Sequence, residues 1–86
     1  MSKRPAIPSD AQARLLARAW GSSRAVTVAR AEGYNDPTTL CCFRLGWIAP
    51  NGNEEQYPSG VITDRCNITE AGLAALYRYL QRKVAS

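Results

Sequence analysis

The chain has 86 residues, 45% of them hydrophobic, and carries a formal net charge of +4 with a pI near 9.3. That length holds one hydrophobic core, and the apolar fraction is too high for a wholly disordered chain. No apolar run approaches the roughly 20 residues that span a bilayer. The basic start Met1-Ser2-Lys3-Arg4-Pro5 lacks the apolar stretch of a secretory signal, so the expected setting is cytoplasmic, without a membrane.

Residues 1–7 read as a mobile basic arm, and 8–86 as a single domain. Ser9, with Gln12 three residues on, predicts a capping box opening a helix over 9–20. Leu15, Leu16, Ala19 and Trp20 would form its apolar face, with Arg14 and Arg18 one turn apart on another side. Gly21-Ser22-Ser23 ends it. Between Arg24 and Tyr34 two patterns compete. Val26 and Val28 alternate with polar or small residues, as in a short strand. Alternatively, Thr27 caps a short helix stopped by Gly33. The preferred reading is a short strand or extended turn running into a truncated helix.

Asp36 as cap and Pro37 at the first helical position predict a helix over 37–45 that stops at Gly46. Leu40, Cys41, Cys42, Phe43 and Leu45 make it apolar almost all the way round, so it is buried on several sides or covered by a partner. Trp47-Ile48-Ala49 starts a strand. Pro50-Asn51-Gly52-Asn53 is a turn signal, residues 54–60 extend the loop, and Val61–Cys66 returns as a second strand. Thr69 then caps a final helix over 69–84, with Glu70 at the positive end of its dipole. Leu73, Leu76, Tyr77, Leu80 and Val84 follow at helical spacing. The expected fold class is α+β, three helices plus a two-stranded β-hairpin over 46–66.

Three cysteines, two of them adjacent as Cys41-Cys42, and no histidine give neither a disulfide framework nor a zinc-ligand spacing. The thiols are expected to be free and buried as small hydrophobes. With no histidine, no Gly-rich phosphate loop and no paired carboxylates in an evident cleft, a catalytic reading has little to stand on. No cofactor and no metal are implied.

Thr39-Leu40, then Leu45-Gly46-Trp47-Ile48, then Ile68-Thr69-Glu70-Ala71-Gly72-Leu73-Ala74-Ala75-Leu76 resemble a segment of small phage and bacterial winged-helix (winged helix-turn-helix) proteins. In those, a Thr-hydrophobic pair precedes Gly-Trp-Ile, a polar hairpin and Ile/Leu-Thr-x-x-Gly-x-x-Ala-Leu. The likeness covers roughly residues 38–80. It implies a winged-helix fold and, as the leading expectation, a small DNA-binding transcriptional regulator whose helix 36–45 lies in the major groove. Carried over by position, Thr38, Thr39 and Arg44 would touch duplex DNA, Arg24 and Arg30 would flank them, and Arg65 would rise from the second wing strand.

A second expectation comes from the same residues. Helix 37–45 offers a single arginine for reading bases, and Glu54 and Glu55 at the expected wing tip repel phosphates. These features favour a protein-binding inhibitor or adaptor, such as an anti-CRISPR-like phage protein that blocks a host machine, docking through Glu54, Glu55 and Tyr57. In either case Tyr77, Tyr79, Leu80 and Val84 give the last helix more apolar surface than one face buries, which points to a homodimer.

Overall fold

In the computed structural model of the chain, residues 7–20 and 25–85 are described. Most of the expected basic arm, the Gly21-Ser22-Ser23 stop and Arg24 lie outside them. Helix α1 spans Asp10–Ala19. It opens with the expected capping box: the Gln12 amide donates to Ser9 Oγ at 3.2 Å, and the Ser9 amide donates to Gln12 Oε1 at 2.9 Å. Leu15, Leu16 and Ala19 are buried, but Trp20 is 61% exposed. The helix ends at Ala19, and Trp20 is already extended, so its indole leaves the apolar face.

The middle segment forms strand β1, Val26–Ala29, followed by a single 3-10 turn at Glu32–Tyr34. The helix capped by Thr27 does not form. The Asn35 side chain accepts from the Ala29 amide and donates to the Ala29 carbonyl, both at 2.8 Å. Helix α2, Pro37–Arg44, starts where the sequence places it, with Asp36 accepting from the Thr39 amide at 2.9 Å. It closes in a Schellman motif: the Gly46 amide donates to the Phe43 carbonyl, and the Trp47 amide to the Cys42 carbonyl. Gly46 has φ +77°, a conformation other residues adopt only with strain.

Strands β2, Ile48–Gln56, and β3, Ile62–Ile68, form the hairpin. The expectation of a two-stranded sheet is corrected here, because β1 also pairs with β3. The sheet has three antiparallel strands in the order β1-β3-β2. The expected turn at Pro50–Asn53 is likewise a β-bulge inside β2, where the register slips between Pro50 and Glu54. Asn51 stabilises it by accepting from the Asn53 amide at 3.0 Å and donating to Asn67 at 2.6 Å. The chain reverses later, with Gly60 donating to the Tyr57 carbonyl. An Asn-Gly pair serves a bulge as readily as a turn, and β3 pairs with β2 on both sides of this one.

Helix α3, Glu70–Ala85, is stitched to the start of β2. Thr69 Oγ1 accepts from the Gly72 amide at 3.0 Å and donates to the Gly46 carbonyl at 2.6 Å, while the Thr69 amide donates to the Trp47 carbonyl at 2.9 Å. The core lies between the helices and one face of the sheet, and its largest fully buried side chains are Leu16, Ile48, Cys42 and Cys66. The side of α3 that enters it is Gly72, Ala75, Leu76 and part of Tyr79. Among the described residues no helix is long and apolar enough to cross a membrane.

Gly72 is buried against the chain it must pass. A Cβ there would collide with the Trp47 carbonyl oxygen and lie 2.7 Å from Ile68 Cγ1. Helix propensity alone makes Gly→Ala favourable by up to about 1 kcal/mol. Here the sign reverses: Gly72→Ala is expected to destabilise the fold by about 2 kcal/mol or more, as overpacking does. Urea unfolding of the two proteins checks this, and an unchanged or raised midpoint would contradict it.

Candidate functional site

α2 presents its C-terminal half to the edge of β1, and a cleft of about 250 Å³ opens between them. Its floor is apolar, formed by Val28, Ala29, Leu40 and Phe43, and its rim is charged. Arg30 leaves the end of β1 and donates to Asp64 at 2.9 and 3.0 Å and to Glu54 at 2.7 Å. Arg44, in the last turn of α2, pairs with Glu32 of the 3-10 turn. Asp64 and Glu54 face each other across β3 and β2, which is why one guanidinium reaches both. Hydrogen bonds from Arg30, reinforced by its charge, hold the Asp64 carboxyl below its usual range against a smaller opposing effect of burial. The reciprocal bond from Asp64 raises the Arg30 pKa further.

The cleft's lining holds two arginines and two carboxylates, Glu32 and Asp64, and so no net charge, on a protein whose total is +4; Glu54, outside the lining, also binds Arg30. Beside it, on the other flank of Arg30, a second hollow holds Tyr34 against Gly60 and Ile62 near the hairpin turn. Tyr34 is strongly exposed and Phe43 partly so.

The expected DNA-contact residues do not form one surface. Arg30 and Arg44 share the cleft, but Arg65 belongs to the opposite face of the sheet. There the alternation of β3 pairs it with Thr27, and it donates to Glu55 at 3.2 Å. Arg24 is outside the described residues. Thr38 lies at the far end of α2, in a hollow of about 310 Å³ with Arg14, Arg18 and Asp36. Thr39 spends its backbone amide on Asp36, and hydrogen bonding from Thr39 is the main cause of the lowered Asp36 pKa.

Glu54 and Glu55 are not at the wing tip. They sit in β2 opposite Asp64 and Thr63, bound to Arg30 and Arg65, and Tyr57 donates to Glu55 at 3.3 Å. Their charge, read from the sequence as free, is spent inside the molecule. Arg14 and Arg18 are both exposed on α1; among the described residues neither enters an ion pair, and Arg18 stands close enough to Asp36 to help lower its pKa. Their i, i+4 spacing was the available signal.

On α3, Tyr77, Leu80 and Val84 are exposed as expected, but Tyr79 turns toward α1. Its hydroxyl donates to Asp10, which lowers the Asp10 pKa and raises that of Tyr79. Lys83 lies 3.7 Å from the same carboxylate.

The cysteines are all free. Cys42 and Cys66 are buried, and desolvation pushes both thiols up to about 11. The expectation of three buried thiols is corrected at Cys41, which is exposed and accepts a hydrogen bond from Gln12 Nε2 at 3.2 Å. Adjacent helical positions point about 100° apart, so only one of the pair can face the core. A disulfide-exchange reagent should therefore titrate one thiol quickly in the folded protein and two only on unfolding, and Cys41→Ser should remove the fast phase.

The Arg30–Asp64 pair generates a pH prediction. A carboxyl held below its ordinary 3.8 stabilises the fold above that pH, and the contribution disappears as pH falls through the folded value. Arg30→Gln should move the Asp64 carboxyl titration upward by NMR. It should also shrink the stability lost between pH 6 and pH 3. An identical Asp64 titration in both proteins would refute the assignment.

In comparison with known proteins, no family model, no curated protein and no solved structure matches this chain.

Proposed function

We propose that this chain is a non-enzymatic binding module on a winged-helix scaffold, and that the cleft beside α2 receives a protein partner. The order of elements supports the scaffold: helix, strand, short turn, helix, hairpin, final helix, with β1 joined to the far strand of the hairpin and α2 directly before it. This reading is consistent with the resemblance over residues 38–80.

The observation that carries the choice of partner is the charge of the cleft. A surface that grips DNA gathers unpaired Lys and Arg and releases counterions from phosphates. Here both arginines of the cleft are already held by carboxylates, so it has no excess positive charge to offer a phosphate backbone. An apolar floor with exposed aromatic side chains and arginines at the rim is instead the composition of protein interfaces. Surface ion pairs of this kind contribute only about 0–1 kcal/mol to stability, so a partner can rearrange them at little cost.

Arg14 and Arg18 favour a second reading, DNA binding, in which α1 and the N-terminal end of α2 approach the duplex. Binding to a random duplex in a salt series separates the two. On the first reading the wild type binds no tighter than about 100 μM at physiological salt, the weak end of non-specific association. The triple change Glu32→Gln, Glu54→Gln and Asp64→Asn frees both arginines, and should tighten duplex binding and steepen the salt slope by up to about 0.9 for each phosphate gained. A photo-reactive benzoylphenylalanine in place of Phe43 should cross-link to protein in extracts of the native host. Wild-type duplex affinity near 1 μM, weakened by Arg14→Ala and Arg18→Ala, would establish the DNA reading instead.

A further inference from the structure

Arg14 and Arg18 stand one turn apart on α1, and both are exposed. Arg30, Arg44, Arg65 and Lys83 each lie against a carboxylate, whereas these two enter no ion pair among the described residues. They form one wall of the hollow of about 310 Å³ whose other wall is Asp36 and Thr38, at the start of α2. Arg18 also lines a second hollow, of about 360 Å³, with Ala25, Val26 and Thr27 at the beginning of β1. It is therefore a basic ridge between two concave surfaces.

We propose that this ridge is a second docking surface, separate from the α2 cleft, and that it takes an acidic peptide segment of a protein partner whose Asp or Glu side chains are gripped by Arg14 and Arg18. Helical positions four apart bring two side chains within about 6 Å of each other. A guanidinium holds a carboxylate through two parallel N–H donors, a fit that an ammonium does not offer. Thr38 adds a hydroxyl donor on the facing wall. Asp36 competes weakly for the arginines, because it caps α2 by accepting from the Thr39 amide at 2.9 Å. Arg18 reaches it only as a minor, longer-range influence.

The extent of the ridge favours a peptide over a nucleic acid. A duplex carries one charge for about every 1.7 Å of its axis and is gripped by a long basic track. Here the two arginines cover about 6 Å of helix axis, with Asp10 one turn before Arg14 and Asp36 across the hollow. A phosphate backbone laid along α1 would meet those carboxylates. A peptide offers a few discrete carboxylates and fits between them. Arginine is also among the residues enriched in protein interfaces. The proposal does not rest on what occupies the α2 cleft, since the ridge and the cleft lie at opposite ends of α2.

NMR of the isotope-labelled full chain tests it, with hexaglutamate and, separately, a short random duplex added at physiological salt. Hexaglutamate should saturate with a Kd of about 1 mM or tighter, and its shifts should centre on Arg14, Arg18 and Thr38. Arg14→Gln and Arg18→Gln should each weaken it about threefold or more, and the double change about tenfold or more. Circular dichroism and the thermal midpoint should stay unchanged, because both side chains are exposed. Arg65→Gln removes the same charge from the opposite face of the sheet and should leave hexaglutamate binding unaltered. Shifts scattered over the whole surface, or an equal loss from Arg65→Gln, would reduce the effect to net charge and overturn the proposal. So would the absence of any shift up to about 10 mM peptide. Duplex binding tighter than that of hexaglutamate and lost in the double variant would overturn it as well, assigning the ridge to nucleic acid.

Discussion

The first turn of α3 can sit where it does only because residue 72 has no side chain. The Trp47 carbonyl, immediately before β2, occupies the space a Cβ would need. That same carbonyl accepts from the Thr69 amide, while the Thr69 hydroxyl bridges the Gly46 carbonyl and the Gly72 amide. Three consecutive joints are locked at this one place: the end of α2, the start of the hairpin, and the exit of the hairpin into α3. Trp47 and Ile48 are buried beside it. The position of α2 over the edge of β1, and therefore the cleft, follows from this closure. Gly46, Trp47, Thr69 and Gly72, distant in the sequence, all belong to this junction.

A second constraint concerns charge. The seven acidic residues of the chain are placed mainly where they meet basic side chains from distant segments: Asp64 and Glu54 with Arg30, Glu55 with Arg65, Glu32 with Arg44, and Asp10 with Lys83. The net positive charge is therefore distributed unevenly. Around α2 and the hairpin it cancels, whereas Arg14 and Arg18 on α1 enter no ion pair among the described residues. A basic pI here describes the whole molecule and misdescribes the cleft beside α2.

What the sequence makes legible follows from distance along the chain. The capping box at Ser9, the Asp36-Pro37 start, the Gly46 stop and the Thr69 cap are interactions across three or four residues, and all are found where local chemistry puts them. The pairing of β1 with β3 joins residues about forty apart, and nothing in Val26–Ala29 announces its partner. The hairpin shows an intermediate case: its strands are readable, but Asn51-Gly52 fits a bulge and a turn equally, and the register decides between them. The candidate site was least legible. Arg30, Arg44 and Arg65 are conspicuous as residues, yet their meaning depends on carboxylates 10 to 34 positions away. On α3 the helical period identified the apolar residues, but which of them face the core depends on the Gly72 contact.

The Asn35 side chain has an effect at the level of the whole sheet. By engaging both the amide and the carbonyl of Ala29, it occupies one outward-facing pair of the backbone groups that a foreign strand would use to extend β1. The opposite edge, β2, is interrupted by Pro50 and by the bulge, and carries Glu54 and Glu55. Short, charged or distorted borders are how small β-sheets avoid templating their own aggregation. With both borders guarded, the sheet cannot grow by adding strands, and recognition is left to side-chain surfaces. Loss of the amide at position 35 would therefore be felt at high protein concentration as a tendency toward fibrils.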